Sequence, residues 1–397
     1  MIKREIYISI LFNLLAILIS FLFTSYLTKN LTINTFGEYQ LVLTFLGIIT
    51  IFSLSGLNTI LNKHILKGDD QIFYKLFYKN YRVVIVLFFI LLLIFMCLKI
   101  FFYNEKIDLF ILAILFLPLL GLEKYESILF AKQKFILIRI LTLSNVLFYS
   151  LFSIVLMNYT DNYLYIFLSM FIVKAITIYF GLKFAKKNLQ KNKKIIEKDY
   201  LKELHEGYKL SLLKVYNITI GYLDKLILGF IDVKLLAIYA IGVLIPLKVK
   251  DQLRMVVTMV IQNAAKDGKE NYEKLMKRYV LLIFTITTIF MIFISFTAHI
   301  YIPILFSEEY MDAKYIIFII SIAIPFILSS MIYEQYTIIF HNTSFYQKIT
   351  YSKQIVYIIA LSILGYYYQI TGIALAFLIR ALYDFTLNYI YANKVKE

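Results

Sequence analysis

The stretch RVVIVLFFILLLIFMCLKIFF, Arg82–Phe102, decides the fold. Between Arg82 and Lys99 it holds no charge, no proline and no glycine, and its apolar residues do not alternate with polar ones. A helix of about 20 apolar residues crosses the hydrocarbon core of a bilayer. A barrel strand would be shorter and would alternate with period two. The stretch therefore reads as a membrane-spanning helix.

Segments of similar length and character lie on both sides of it, at 6–28, 39–62, 108–130, 136–157, 163–182, 208–231, 235–262, 279–302, 314–338, 350–368 and 372–391. Together they predict an all-α integral membrane protein with about 12 transmembrane helices. The first follows Met1-Ile2-Lys3-Arg4 but has a long apolar run and no small-residue cleavage site, so it reads as a retained helix. Composition agrees. Of 397 residues, 61% are hydrophobic and 17% charged, which excludes a water-soluble or disordered chain. Cys97 stands alone and the four histidines have no ligand spacing, so neither a disulfide framework nor a metal centre is expected.

A formal net charge of +16 would suggest nucleic acid in a soluble protein, but its placement follows topology. With an even number of spans, both termini share one side. The loops there carry Lys3 and Arg4, the lysines of 63–79, Lys132, Lys134, Arg139, the basic run of 183–209, and Lys266 to Arg278. The opposite loops carry only Lys29, Lys99, Lys106, Lys234 and Lys314. The positive-inside rule puts both termini in the cytoplasm, and no nucleic-acid partner is expected.

The longest polar stretch divides the spans six and six. The expected organisation is an N-terminal six-helix bundle at 1–185, a basic cytoplasmic linker at 186–207 and a C-terminal six-helix bundle at 208–397. Phe36-Gly37-Glu38-Tyr39 opens the second span and Leu236-Ala237-Ile238-Tyr239 the eighth. With six spans per half, this short match indicates a parallel repeat. No loop is long enough for a nucleotide-binding domain, and no Walker A pattern occurs.

The basic residues left inside spans are the informative ones, since a charge at the bilayer centre costs about 2.5–3.5 kcal/mol. On span seven, Ser211, Lys214, Asn217, Gly221, Asp224 and Lys225 fall within about 140° of one another. On span eight, Lys248, Lys250, Asp251, Arg254, Thr258 and Gln262 share an arc of about 160°. Spans one and two carry neutral polar faces, the second including Asn58. Such faces are tolerable toward a wet central cavity. Its basic character favours an anion such as phosphate or pyrophosphate over a cation. The alternative for Lys248, Lys250 and Arg254 is an earlier end to span eight. Lys124 and Lys174, near span ends, read as snorkelling. Arg380 and Asp384, at i and i+4, read as a neutralised pair. Pro118, Pro246 and Pro325 lie inside spans and read as hinges or as plain packing.

Phe36-Gly37-Glu38-Tyr39, Gly56-Leu57, Tyr222-Leu223-Asp224-Lys225-Leu226-Ile227-Leu228-Gly229 and Leu236-Ala237-Ile238-Tyr239-Ala240 give the chain a resemblance. It resembles the polysaccharide-biosynthesis membrane proteins of the O-antigen and capsule flippase type, in the multidrug/oligosaccharidyl-lipid/polysaccharide exporter superfamily. Ala237 departs from that family's usual glycine. The resemblance implies a two-lobed, alternating-access transporter in the bacterial cytoplasmic membrane, with no catalytic residues. Its substrate would be an undecaprenyl-pyrophosphate-linked oligosaccharide. It implies substrate contacts at Lys214, Lys225, Lys248, Lys250 and Arg254, joined by Asn217 and Asn58 from the polar faces. Asp224, Asp251, Arg380 and Asp384 would be gating or charge-pair residues. No bound cofactor is implied. Coupling to Na+ or H+ fits the superfamily, without a residue to assign it. Polysaccharide polymerase and glycosyltransferases are the implied protein partners. The competing readings are a cation-coupled multidrug exporter of the same fold and a membrane polysaccharide polymerase or ligase.

Overall fold

The computed structural model describes residues 2–66, 70–102, 104–160, 162–189, 197–266, 268–340 and 343–394. Every regular element among them is helical. The chain forms two compact units, Met1–Leu223 and Asp224–Glu397. Residues 208–223, which the sequence assigns to the C-terminal bundle, pack in the first unit.

In the first unit, α1 is Ile2–Asn30 and α2 is Ile33–Ile49, followed by a 3₁₀ turn, Thr50–Ser53, and α3, Leu57–Leu66. Next come α4 (Asp70–Phe102), α5 (Lys106–Ile114), α6 (Leu117–Leu122), α7 (Tyr125–Ala131), α8 (Phe135–Met157) and α9 (Leu164–Lys187). The first part of α10 (Glu197–Ile231) completes it. Thr32 caps α2, its hydroxyl accepting from the Thr35 N–H at 3.2 Å. Much of α2 is buried, whereas α4 presents Phe89, Leu93, Met96 and Phe101 outward. Large apolar side chains turned outward along a long helix suit contact with lipid.

The second unit holds the end of α10, then α11 (Val233–Lys266), α12 (Lys269–Leu305), a 3₁₀ turn at Glu308–Tyr310, α13 (Ala313–Phe340) and α14 (Thr343–Lys394). Its core is α13, with Ile317, Ile320, Ala323, Ile324 and Leu328 all buried. Like α4, α12 turns Ile289, Phe293 and Phe296 outward.

α14 is two helices joined at Gln369, whose φ of 48° and ψ of −123° reverse the chain. A Cβ on Gly372 would lie 1.9 Å from the Leu364 carbonyl oxygen, so only glycine fits the reversal. The pairs Gly365 with Ile373 and Lys353 with Asp384 then face each other across an antiparallel hairpin.

Eight helical stretches among the described residues are long and apolar enough to cross a membrane, the last running through both halves of α14. The chain is a multi-pass membrane protein. The expected spans at 208–231 and 235–262 lie on α10 and α11, which have the length but carry the clustered charges. The expected span at 39–62 is broken between α2 and α3, and that at 108–130 is divided into α5, α6 and α7. Pro118 opens α6 instead of bending a longer helix. Pro246 and Pro325 lie within continuous helices.

Candidate functional site

Two polar constellations stand out, one in each unit. In the first, the second span breaks at Ser53–Gly56. Leu54 takes the left-handed conformation, φ 58° and ψ 52°, which costs a non-glycine residue about 1–2 kcal/mol. The turns across the break run from Leu57 N–H to the Leu54 carbonyl and from Asn58 N–H to the Ser55 carbonyl. Two lysines supply the remaining donors. The Lys124 ammonium donates to the Ser53 carbonyl at 2.8 Å and the Leu54 carbonyl at 3.3 Å. The Lys214 ammonium donates to the Ser55 carbonyl at 3.3 Å.

The break lies antiparallel to α10. Gly47 meets Tyr222, Ser55 meets Lys214, Gly56 meets Ser211, and Lys63 and His64 meet Glu203. The Gly56 N–H donates to the Ser211 hydroxyl at 3.0 Å. Backbone touches backbone here, which explains why the start of α10 belongs to the first unit. Lys124 does not snorkel. It is 1% exposed, held by carbonyls that a continuous helix would have consumed. Nor does Lys174, which pairs with Glu123 at 2.6 Å. Asn58 is the second residue of α3, and its side-chain oxygen is buried without a hydrogen-bond donor among the described residues. The side chain of Asn217 lies outside the described residues.

In the second unit, Asp224 is 8% exposed. It accepts from the Tyr239 hydroxyl at 2.7 Å and from the Lys225 backbone N–H at 2.8 Å. Tyr239→Phe leaves a buried carboxylate oxygen short of a donor. It should lower stability by about 1–3 kcal/mol, read as a lower thermal midpoint in detergent with insertion unchanged.

The expected Arg380–Asp384 pair is not formed. Both side chains reach across the α14 hairpin instead. The Arg380 guanidinium sits over the Tyr357 ring, 4.8 Å from its centre. The Asp384 carboxylate takes the Lys353 ammonium at 2.9 Å, the Ser330 hydroxyl at 3.2 Å and the Asn388 amide at 3.0 Å. Lys353 is therefore the cation that neutralises Asp384, and Arg380 is left with an aromatic face. Lys250 is close enough to feel the charges of Asp251, Arg254 and Arg380. Its contact with Asp251 is 3.5 Å long, and Asp251 is 58% exposed. Lys248 and Arg254 are exposed on α11.

The structure thus places Lys250 within electrostatic reach of Arg254 and Arg380, with Arg380 over Tyr357, in one unit, and Lys214 within reach of Lys124 in the other. Sequence reasoning misread Lys124 and missed Lys353 and Tyr357. Lys124 leaves no periodic mark, because its partners are backbone atoms. Tyr357 and Lys353 become visible only once the α14 reversal sets their register with Arg380 and Asp384.

In fold, the chain is similar to the lipid II flippase MurJ in an inward closed conformation. The TM-score is 0.77 and the identity 13%, over 99% of this chain and 87% of that one. It is similar to an inward-facing multidrug resistance MATE family transporter of the MOP superfamily, at 0.67 and 15%, over 96% and 95% of the two chains. It is also similar to a mutant of the Vibrio cholerae MATE transporter VcmN, at 0.65 and 12%, over 99% and 96%. At these identities the likeness is one of fold. No curated protein matches the sequence. The model of the polysaccharide biosynthesis protein family matches residues 2–247, more than half of the chain, and it is to this family that the chain belongs.

Proposed function

We propose that this protein is a flippase for an undecaprenyl-pyrophosphate-linked oligosaccharide, working by alternating access in a bacterial cytoplasmic membrane with both termini inside. No covalent bond is made or broken, and the flipped unit feeds surface polysaccharide such as O-antigen or capsule. The observation that carries this reading is the row of basic side chains on α11, Lys248, Lys250 and Arg254, with Lys250 also within electrostatic reach of Arg380 on α14. Like charges gathered in a membrane unit repel one another unless an anion joins them. Of the carboxylates nearby, Asp384 is taken by Lys353, Asp224 accepts from the Tyr239 hydroxyl, and Asp251 meets Lys250 only at 3.5 Å from an exposed position. A pyrophosphate group offers the acceptors that Lys and Arg match with charge-assisted hydrogen bonds.

Family membership supports a polysaccharide substrate, and the MurJ-like fold supports a lipid-linked one. Twelve spans in two six-helix bundles, a parallel repeat, a water-filled central cavity and roles for Lys214, Lys225, Lys248, Asn217 and Asn58 in it belong to the same proposal. So do the charge-pair roles of Asp224, Asp251 and Asp384, coupling to a Na+ or H+ gradient, and cooperation with a polymerase and glycosyltransferases.

The test is deletion of the gene in its native host. Lipid-linked oligosaccharide should accumulate on the cytoplasmic face and surface glycan should fall. Accumulation of unpolymerised glycan already outside would instead indicate a polymerase or ligase. The MATE-like fold keeps a multidrug exporter as a second reading. Expression in a pump-deficient host, scored for resistance to cationic drugs, separates it, and the flippase reading predicts no resistance.

A further inference from the structure

The break in the second span places two ammonium groups on one short piece of backbone, and they are held very differently. Lys124 is 1% exposed and donates to two carbonyls, the nearer at 2.8 Å. Lys214 is partly exposed and, among the described residues, makes one long hydrogen bond, 3.3 Å to the Ser55 carbonyl. The two are close enough for their charges to oppose each other. One is fixed and the other is exchangeable. A neutral carbonyl is a poor final partner for an ammonium, and an anion reaching Lys214 gains a stronger bond and relieves the repulsion.

The break itself needs support, because Leu54 is strained in its left-handed conformation and a continuous helix would recover regular bonds. Lys124 provides that support by satisfying the Ser53 and Leu54 carbonyls. The Gly56 contact with α10 then brings the Ser55 carbonyl beside Lys214.

We propose that Lys124 is a positioning residue for transport: it holds the second span broken at Ser53–Gly56, so that the Ser55 carbonyl parks Lys214 where an acidic headgroup takes it over. This rests on the flippase reading above and adds to it a residue that never meets the substrate.

The experiment uses the full chain purified in detergent, a water-soluble amine-acylating reagent, and mass spectrometry to follow each lysine. Inorganic pyrophosphate is the probe. In the unmodified chain, Lys214 should be acylated about tenfold or more faster than Lys124, and pyrophosphate should slow Lys214 alone. In K124Q, the pyrophosphate concentration that half-protects Lys214 should rise about tenfold, and glycan export should fall by a similar factor. K124R should keep that midpoint near the original. L54G placed in K124Q should recover much of the loss, because glycine adopts the left-handed conformation without help.

An unshifted midpoint and unchanged export in folded K124Q overturn the proposal. Should K124Q not accumulate in the membrane, the unmodified chain decides: similar acylation of the two lysines, or no pyrophosphate protection of Lys214, overturns it. The flippase reading fails separately. Normal glycan export after gene deletion sinks that reading even if Lys214 is protected. Export that is lost on deletion while Lys214 goes unprotected sinks only the role of Lys124.

Discussion

A chain carrying Lys250→Ala and Arg380→Ala should reach the membrane in normal amount and export about a hundredfold less glycan, or lower still. Each charge-assisted hydrogen bond to an anion is worth about 1.5–3 kcal/mol, and about 1.4 kcal/mol is a factor of ten. Two such bonds removed together account for the expected loss. Stability should change far less. Lys250 feels the repulsion of Arg254 and Arg380 as well as the attraction of Asp251, so these terms offset one another and the thermal midpoint should stay within a few degrees. Loss of export without loss of stability distinguishes a binding role from a structural one. Arg380→Lys should recover only part of the activity, because an ammonium lacks both the flat stack on Tyr357 and the forked donors. Lys99→Ala, which breaks a half-exposed pair with Asp108, should leave export unchanged. Ordinary surface glycan in the double variant would sink the anion-site reading.

Gly56→Ala should damage the first unit out of proportion to one methyl. Its Cβ would lie 2.2 Å from the Ser211 nitrogen and 2.6 Å from the Gly207 carbonyl oxygen. These are backbone atoms that cannot swing aside, so the second span must leave α10 or α10 must shift. The cost should be about 3 kcal/mol, seen as a lower thermal midpoint in detergent and loss of the Gly56–Ser211 hydrogen bond. Gly221→Ala, on α10 itself, is the control, with open space around the new methyl. It should be neutral or stabilise by up to about 1 kcal/mol. Equal midpoints for the two variants would contradict the docking of the break on α10.

The all-helical, multi-pass fold was legible because span length and apolar content are local properties, and residues 82–102 alone disclose them. The breaks were not. Leu54 is flanked by Phe52, Ser53 and Ser55, with no proline and its nearest glycine two residues on, so composition runs smoothly through a point where the backbone does not. The division of 108–130 is marked in sequence only by Pro118, Gly121 and the charged run Glu123–Glu126, which fall at the two breaks. For the candidate site, helical spacing gathered Lys250, Asp251 and Arg254 onto one arc of α11, and their mutual influence agrees with that grouping. It failed for Arg380 and Asp384, where i, i+4 adjacency within one helix lost to partners on the opposite arm of a hairpin. A buried aspartate takes the cation whose full approach also satisfies Ser330 and Asn388, not merely the nearest in sequence. Lys124 was misread because snorkelling assumes that a lysine's best partner is water, and the broken span supplied carbonyls instead.

The single-residue reversal at Gln369 has a consequence for biogenesis. The last two spans share no loop, so almost no polar backbone has to be threaded through the translocon between them. Lys353 and Asp384 sit on opposite arms and neutralise each other. Released singly, either arm would carry its charge into lipid at a cost of about 2.5–3.5 kcal/mol. Released as a pair, the arms bring Lys353 and Asp384 in already neutralised and Arg380 against the Tyr357 ring, so partitioning of the C-terminal end is concerted, and an engineered stop between Gln369 and Asp384 should strand the preceding arm outside the bilayer.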